Sequence, residues 1–199
     1  MINKIIKKIQ TSRGFTLIET LLAVLLLATA IAGPLTIASK GLTSTLIAKN
    51  QFTAFYLAQD AMEQVRFLRD SACLAAGGSE CPSGTWLSGL PNCVSTDGSA
   101  TCYLDSLASN PTSPQSCGGT CPVMRYDTAN GYFNYNADVN NLNLIDTPQQ
   151  FIRTVKVVND PNPSGPSPDE AVVTVTVSWS DNPTVTHSIT VLENIFRWQ

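Results

Sequence analysis

Gly14-Phe15-Thr16-Leu17-Ile18-Glu19 opens an apolar run that continues to Ala32 and meets a proline at Pro34. As a helix, the run from Phe15 to Ala32 is long enough to cross most of a bilayer's hydrocarbon core, yet Glu19 lies near its start. Working back from Gly14, the leader holds Lys4, Lys7, Lys8 and Arg13 and no acidic residue. Basic residues ahead of an apolar helix hold that flank in the cytoplasm, so the carboxy-terminal body is expected across the membrane. A secretory signal places its small-residue cleavage site after the apolar region, whereas the small residue at a processing position here is Gly14, ahead of it. Cleavage at Gly14 leaves the apolar helix on the product. A permanent amino-terminal anchor is the alternative that generic features leave open.

The 199 residues provide one membrane segment and one globular domain large enough to bury a core. Without its leader the chain keeps eight Lys or Arg against fifteen Asp or Glu. An acidic body is a poor surface for nucleic acid, because phosphate-backbone binding relies on clustered cations. No nucleic-acid partner is expected.

The basic leader, Gly14, Phe15-Thr16-Leu17-Ile18-Glu19 and the apolar helix together resemble the type III signal sequence of type IV prepilins and type II secretion pseudopilins. The close match covers roughly residues 1 to 40. The resemblance implies cleavage between Gly14 and Phe15 by a prepilin peptidase, then methylation of the new amino group on Phe15. It implies that Glu19 pairs with the amino terminus of a neighbouring subunit during assembly. Partners are then other pilin or pseudopilin subunits, the peptidase, an inner-membrane assembly platform and, before assembly, membrane lipid. The expected location is the inner membrane, single-pass with the amino terminus inside, and afterwards an extracytoplasmic filament. Chemistry supports a paired role for Glu19: an ionised carboxylate in hydrocarbon costs about 2.5 kcal/mol or more, so it seeks a cation, a proton or the interface. The freed ammonium of the same chain lies one turn away and is an equally accessible partner.

Helical spacing continues beyond residues 15–34 through 35–72, and one helix is expected from Phe15 to the low seventies. Pro34, beside Gly33, removes one hydrogen bond and crowds the preceding turn, so a kink is expected there. Ala54, Ala58, Ala61, Val65 and Leu68 form one apolar stripe suited to packing on a sheet. Phe52, Phe55, Tyr56 and Met62 widen that surface and read as a broad core face, with subunit contact as the alternative. Asp60, Glu63, Arg66, Arg69 and Asp70 are expected to face elsewhere, the pairs Glu63–Arg66 and Arg66–Asp70 contributing about 0.2 to 0.5 kcal/mol each. The segment Leu57 to Glu63 also looks like the corresponding helix of minor pilins and minor pseudopilins.

From residue 73 to 124 the chain is dense in Gly, Ser, Pro and Cys and reads as a loop-rich insertion. Its six cysteines, Cys73, Cys81, Cys93, Cys102, Cys117 and Cys121, are even in number and are expected to form disulfides outside the cytoplasm. Spacing leaves the connectivity open, with sequential pairing expected: Cys73 with Cys81, Cys93 with Cys102, Cys117 with Cys121. Zinc at Cys117-Gly-Gly-Thr-Cys121 is the competing reading, but no second close pair or histidine stands nearby. No metal site and no cofactor are expected.

Residues 125–199 read as an antiparallel sheet. Tyr132 to Tyr135 form a short strand, and Asp138, Asn140, Asn141, Asn143 and Asp146 follow as an oxygen-rich segment that reads as turns, with calcium ligation as the alternative. Phe151 to Val158 alternates as a strand with Phe151, Arg153, Val155 and Val157 on one face. Val173, Val175, Val177 and Trp179 line a second strand. A turn at Ser180-Asp181-Asn182-Pro183 leads to a third, with Val185, His187, Ile189 and Val191. The fold class is therefore α+β, pilin-like by resemblance: a long amino-terminal helix on a small antiparallel sheet, with a Cys-rich insertion between them. The only histidine, His187, reads as a sheet residue, and no nucleophile with an adjacent base, phosphate loop or paired acids appears. The expected function is that of a structural subunit, not an enzyme. The alternatives are a tip adhesin working through the Cys-rich loop and an anchored extracytoplasmic enzyme.

Overall fold

The computed structural model describes residues 14–75, 81, 85–105, 114–135, 143–145, 149–159, 169–182 and 185–197. The chain divides into two compact units, Met1–Ile47 and Ala48–Gln199. One helix, α1 (Leu17–Ala75), belongs to both.

In the first unit, α1 exposes Leu17, Ile18, Leu21, Leu22, Val24, Leu25, Leu26, Leu27 and Ile31. By length and composition this helix is able to cross a membrane. Its threonine hydroxyls are satisfied by the helix itself. Thr20 donates to the Leu17 carbonyl at 2.8 Å, Thr29 to that of Leu26 at 3.0 Å, and Thr36 to that of Ala32 at 2.8 Å. Such back-bonding removes the cost of carrying a bare hydroxyl donor into an apolar medium. The helix runs on through Gly33 and Pro34, where the proline takes one N–H out of the ladder.

In the second unit the rest of α1 buries Asn50, Ala54, Leu57, Ala58, Ala61, Met62, Val65, Leu68 and Cys73, the expected stripe with its flanks. Phe52, Phe55 and Tyr56 instead remain exposed, so the broad core face expected of them is corrected. They sit on turns of the helix that point away from Ala54, Ala58 and Ala61, and the small residues hold the face nearest the sheet.

The described residues beyond the helix form nine strands: β1 (Val94–Ser95), β2 (Cys102–Tyr103), β3 (Gln115–Ser116), β4 (Val123–Asp127), β5 (Tyr132–Asn134), β6 (Leu144–Ile145), β7 (Phe151–Asn159), β8 (Glu170–Asn182) and β9 (Val185–Phe196). The meander β7–β8–β9 is antiparallel throughout, with Val155 opposite Val175 and Val175 opposite Val191. Its inner face buries Phe151, Arg153, Val155, Val157, Val173, Val175, Val177, Trp179 and Ile195. This is the period-two pattern of a half-buried sheet.

The other edge of β7 is covered in three steps. β4 pairs at Phe151 and Ile152, β2 at Val155, and β1 at Val157 and Val158. The β1 contact is parallel, a departure from a wholly antiparallel sheet. The Cys-rich segment is thus more than loop: it supplies these strands and buries Trp86, Leu87, Leu90 and Leu104 in the same core. Three disulfides join Cys73 to Cys81, Cys93 to Cys102 and Cys117 to Cys121, in sequential order. The last leaves no thiolate at Cys117 or Cys121 for zinc. Gly118 and Gly119 turn the loop it closes, both at positive φ. Of the oxygen-rich segment, Asp138, Asn140, Asn141 and Asp146 lie outside the described residues. Asn143 accepts from the Thr128 amide at 2.9 Å and from its hydroxyl at 3.0 Å through its main-chain carbonyl.

Gly89 lies against the helix so closely that an added Cβ would stand 2.8 Å from the Leu68 carbonyl oxygen. Backbone cannot yield as a side chain does, so Gly89→Ala is expected to destabilise the second unit by about 1–3 kcal/mol. Gly41→Ala, where the added methyl meets nothing, serves as the control and leaves that transition unchanged. Denaturant unfolding of the full chain in detergent, followed by tryptophan fluorescence, measures both.

Candidate functional site

The amino-terminal segment is built from its cap outward. Thr16 ends the helix: its carbonyl accepts from the amides of Glu19 at 3.0 Å and Thr20 at 3.2 Å, and its hydroxyl accepts from the Glu19 amide at 3.3 Å. Thr16-Leu17-Ile18-Glu19 is therefore an N-cap with an acidic residue in the first turn, where a negative charge suits the helix dipole. This was legible as the T-x-x-E spacing of a capping box, a signal the reading of Glu19 as an isolated charge passes over. Gly14, Phe15 and Glu19 are all exposed, with Phe15 at 80 %. The arrangement presents an apolar terminal residue and a carboxylate on the first turn of one uncovered helix.

The second constellation joins helix and sheet. Arg153, on the inner face of β7, is 1 % exposed. Its Nη1 donates to the Leu57 carbonyl at 3.0 Å and to Asp60 Oδ2 at 2.6 Å, and its Nη2 donates to the Leu104 carbonyl at 2.5 Å. The guanidinium also lies 5.7 Å from the centroid of the Tyr135 ring. Burial pushes the Tyr135 phenol above its ordinary pKa, with the charge of Arg153 opposing. Asp60 thus does not face away from the sheet, as its helix position suggested. Arg66 forms a two-pronged pair with Glu193 of β9, Nε to Oε1 at 2.9 Å and Nη2 to Oε2 at 2.5 Å, and also pairs with Glu63. The hydrogen bond that Arg66 donates to Glu193 raises the Arg66 pKa. Asp70 pairs with its neighbour Arg69 at 2.8 Å, in place of the Arg66 contact expected from spacing.

His187 stacks on Trp179, centroids 5.4 Å apart and planes 23° from parallel. The row continues to Phe151, Phe133 and Tyr126. These are packing contacts within a sheet face. No cluster of three metal-ligating side chains occurs among the described residues.

The β4–β5 hairpin turns on Asp127. Its Oδ1 accepts from the amides of Ala129 at 2.9 Å and Asn130 at 3.2 Å, its Oδ2 from the Asn130 side chain at 3.0 Å, and Gly131 completes the turn at φ 78°. No family model, curated protein or solved structure matches the chain.

Two outcomes follow from these contacts. Arg153→Met is expected to cost about 3 kcal/mol, because it removes a buried donor from two carbonyls and a carboxylate, whereas Arg66→Ala, at a half-exposed pair, costs about 1 kcal/mol or less. Thermal and denaturant unfolding separate the two. The hydrogen bond from Asn130 chiefly lowers the Asp127 pKa. The stabilisation is therefore complete above the ordinary carboxylate pKa and is lost as pH falls through the lowered value. NMR shifts of the Ala129 and Asn130 amides are expected to titrate with a midpoint below that of free aspartate, and Asp127→Asn abolishes the titration.

Proposed function

We propose that the chain is a structural subunit, a minor pilin or minor pseudopilin, of a type IV pilus or type II secretion-like filament. The observation that carries this reading is Gly14-Phe15-Thr16-Leu17-Ile18-Glu19, placed after a basic leader and at the head of an apolar helix. The exposed face of that helix supports it, since an apolar surface of this extent needs lipid or protein to cover it. The self-satisfied hydroxyls suit either environment.

In this reading the helix first lies in the inner membrane, with the leader held inside by its charge. Peptidase cleavage between Gly14 and Phe15 frees an ammonium, which is then methylated. Glu19 carries a carboxylate into surroundings where an unpaired charge is costly, so it recruits the ammonium of a neighbouring subunit and sets the register of one helix against the next. The large Cys-stapled segment and the likeness of Leu57 to Glu63 to minor subunits favour a minor or priming role over the bulk subunit.

Mass spectrometry of the mature protein from producing cells is expected to find an N-methylated Phe15 at the amino terminus. Met1 retained on assembled protein overturns the reading. Glu19→Gln is expected to leave cleavage intact while removing the subunit from sheared filaments, a loss of roughly tenfold or more in incorporation by immunoblot.

A further inference from the structure

The sheet ends at β9, which pairs with β8 alone among the described residues. On the far side of the sheet, the outer strands β3 and β5 are two and three residues long, whereas β9 has twelve. Soluble proteins blunt an edge that could recruit another strand by keeping it short, or by placing lysine, proline or a bulge along it. The segment from Val185 to Phe196 contains no lysine, arginine or proline, and its register irregularity is confined to the hairpin end, at Ser180 and Asn182. It is a long and unguarded edge.

The direction of its free main-chain groups follows from the register. The Arg197 amide donates to the Asp169 carbonyl at 2.8 Å, one step past Glu170 opposite Phe196. In an antiparallel ladder the bonding residues alternate, so the odd-numbered residues of β9 turn their N–H and C=O groups to β8. Thr186, Ser188, Thr190, Leu192 and Asn194 therefore turn theirs to the open edge, and all five residues are exposed. The Phe196 carbonyl, on the same side, is already taken by Arg69 Nη1 at 3.4 Å.

A strand added here has to complement the side chains as well as the backbone. A second β9, antiparallel and related by a two-fold axis normal to the sheet, does so with Thr190 on the axis. Ile189 then lies opposite Val191 of the second copy, and His187 opposite Glu193 of the second copy. These are the closely spaced pairs of the ladder, on the helix side of the sheet. Ile189 and Val191 pack on the core but are only partly buried in one copy, and the pairing covers them. Moving the axis to Val191 sets Glu193 against Ile189 and calls on the Phe196 carbonyl that Arg69 holds. The register on Thr190 keeps polar with polar and leaves that contact and the Arg66–Glu193 pair in place.

We infer that the chain forms a two-fold dimer by pairing β9 with β9 of a second copy, joined by about ten main-chain hydrogen bonds centred on Thr190. The contact lies wholly within the second unit. It depends on neither processing nor filament formation, so its failure and the failure of the assembly role are separable.

Sedimentation of the full chain in detergent is expected to show a reversible dimer. Amide exchange locates the contact: Ser188, Thr190 and Leu192 are expected to be protected in concentrated protein and to lose that protection on dilution, while Ile189 and Val191, bonded to β8, stay protected at both. Thr190→Pro removes an N–H that serves only the open edge, a position where a strand accepts proline, and is expected to weaken the dimer by about tenfold or more with unfolding by tryptophan fluorescence unchanged. Thr190→Cys is expected to give a disulfide-linked dimer on mild oxidation, since the two-fold brings its Cα atoms to about 5.5 Å, whereas Leu192→Cys, offset from its counterpart along the strand, does not. A monomer at all concentrations, a dimer that Thr190→Pro leaves intact, edge amides whose exchange ignores dilution, or equal cross-linking at positions 190 and 192 each overturns the inference.

Discussion

A guanidinium cannot shed its charge, and Arg153 carries one into the middle of a helix–sheet core where water does not reach. The charge is tolerable only where acceptors or an aromatic face meet its terminal nitrogens. Those partners come from three distant parts of the chain: Leu57 and Asp60 on the helix, Leu104 in the Cys-stapled segment, and Tyr135 after β5. The strand, the helix and the segment between them therefore share one arrangement that pairs both terminal nitrogens of the arginine, while its buried Nε has no hydrogen-bond partner among the described residues. Ala54, Ala58 and Ala61 share one buried cluster with Val155, Val157, Val173, Val175 and Val177, and apolar packing of this kind tolerates small slips; the arginine does not. Arg66 with Glu193 and Arg197 with Asp169 add fixed points near the far edge, each partly exposed and individually weak.

The single helix α1 is asked to do two different things along its length. Between Leu17 and Ile47 no side chain is fully buried, and the helix keeps its polar groups satisfied by bonding hydroxyls back to its own carbonyls. Between Ala48 and Ala75 it buries one stripe and exposes the rest. The residues at the boundary show the change in composition: Lys40 and Lys49 are the first cations after the leader, and polar side chains become frequent beyond them. The exposed Phe52, Phe55, Tyr56 and Phe67 mean that the second stretch retains apolar surface outside its own core. A helix whose stripe were simply broad would have buried them.

Much of this was readable in the residues, and what escaped did so for physical reasons. The meander β7–β8–β9 declares itself because Val173 to Trp179 alternate without interruption and Phe151 to Val157 alternate apart from Ile152 and Arg153, and alternation is the direct imprint of a half-buried pleat. The stripe from Ala54 to Leu68 does the same for the helix. Strands β1, β2 and β3 are two residues long, too short to carry any period, and they lie among Gly, Ser and Pro that signal turns. Trp86, Leu87 and Leu90 are apolar residues within that same background, and their role as a core wall depends on a partner surface far away in sequence. Arg153 was visible on the buried face of its strand, but its charge gave no hint of which acceptors would converge on it. Two of the three are main-chain carbonyls, which sequence does not distinguish. The amino-terminal site lies at the opposite extreme: Thr16, Glu19 and Gly14 are neighbours in the chain, so their relation is fully present in the text.

The disulfides explain why the Cys-rich segment can serve as a wall at all. Its strands are too short to hold by pairing alone, since a two-residue ladder leaves most of its backbone entropy unrecovered. Each bridge closes a short loop where such help is needed: Cys73–Cys81 where the chain leaves the helix, Cys93–Cys102 between β1 and β2, and Cys117–Cys121 between β3 and β4. The middle one has the largest structural reach, because β1 and β2 both dock on β7 and Leu104, just beyond it, receives Arg153. A covalent staple between two marginal strands thus positions the carbonyl that a buried charge requires. The arginine in turn ties that stapled segment to the helix, so neither device holds the architecture without the other.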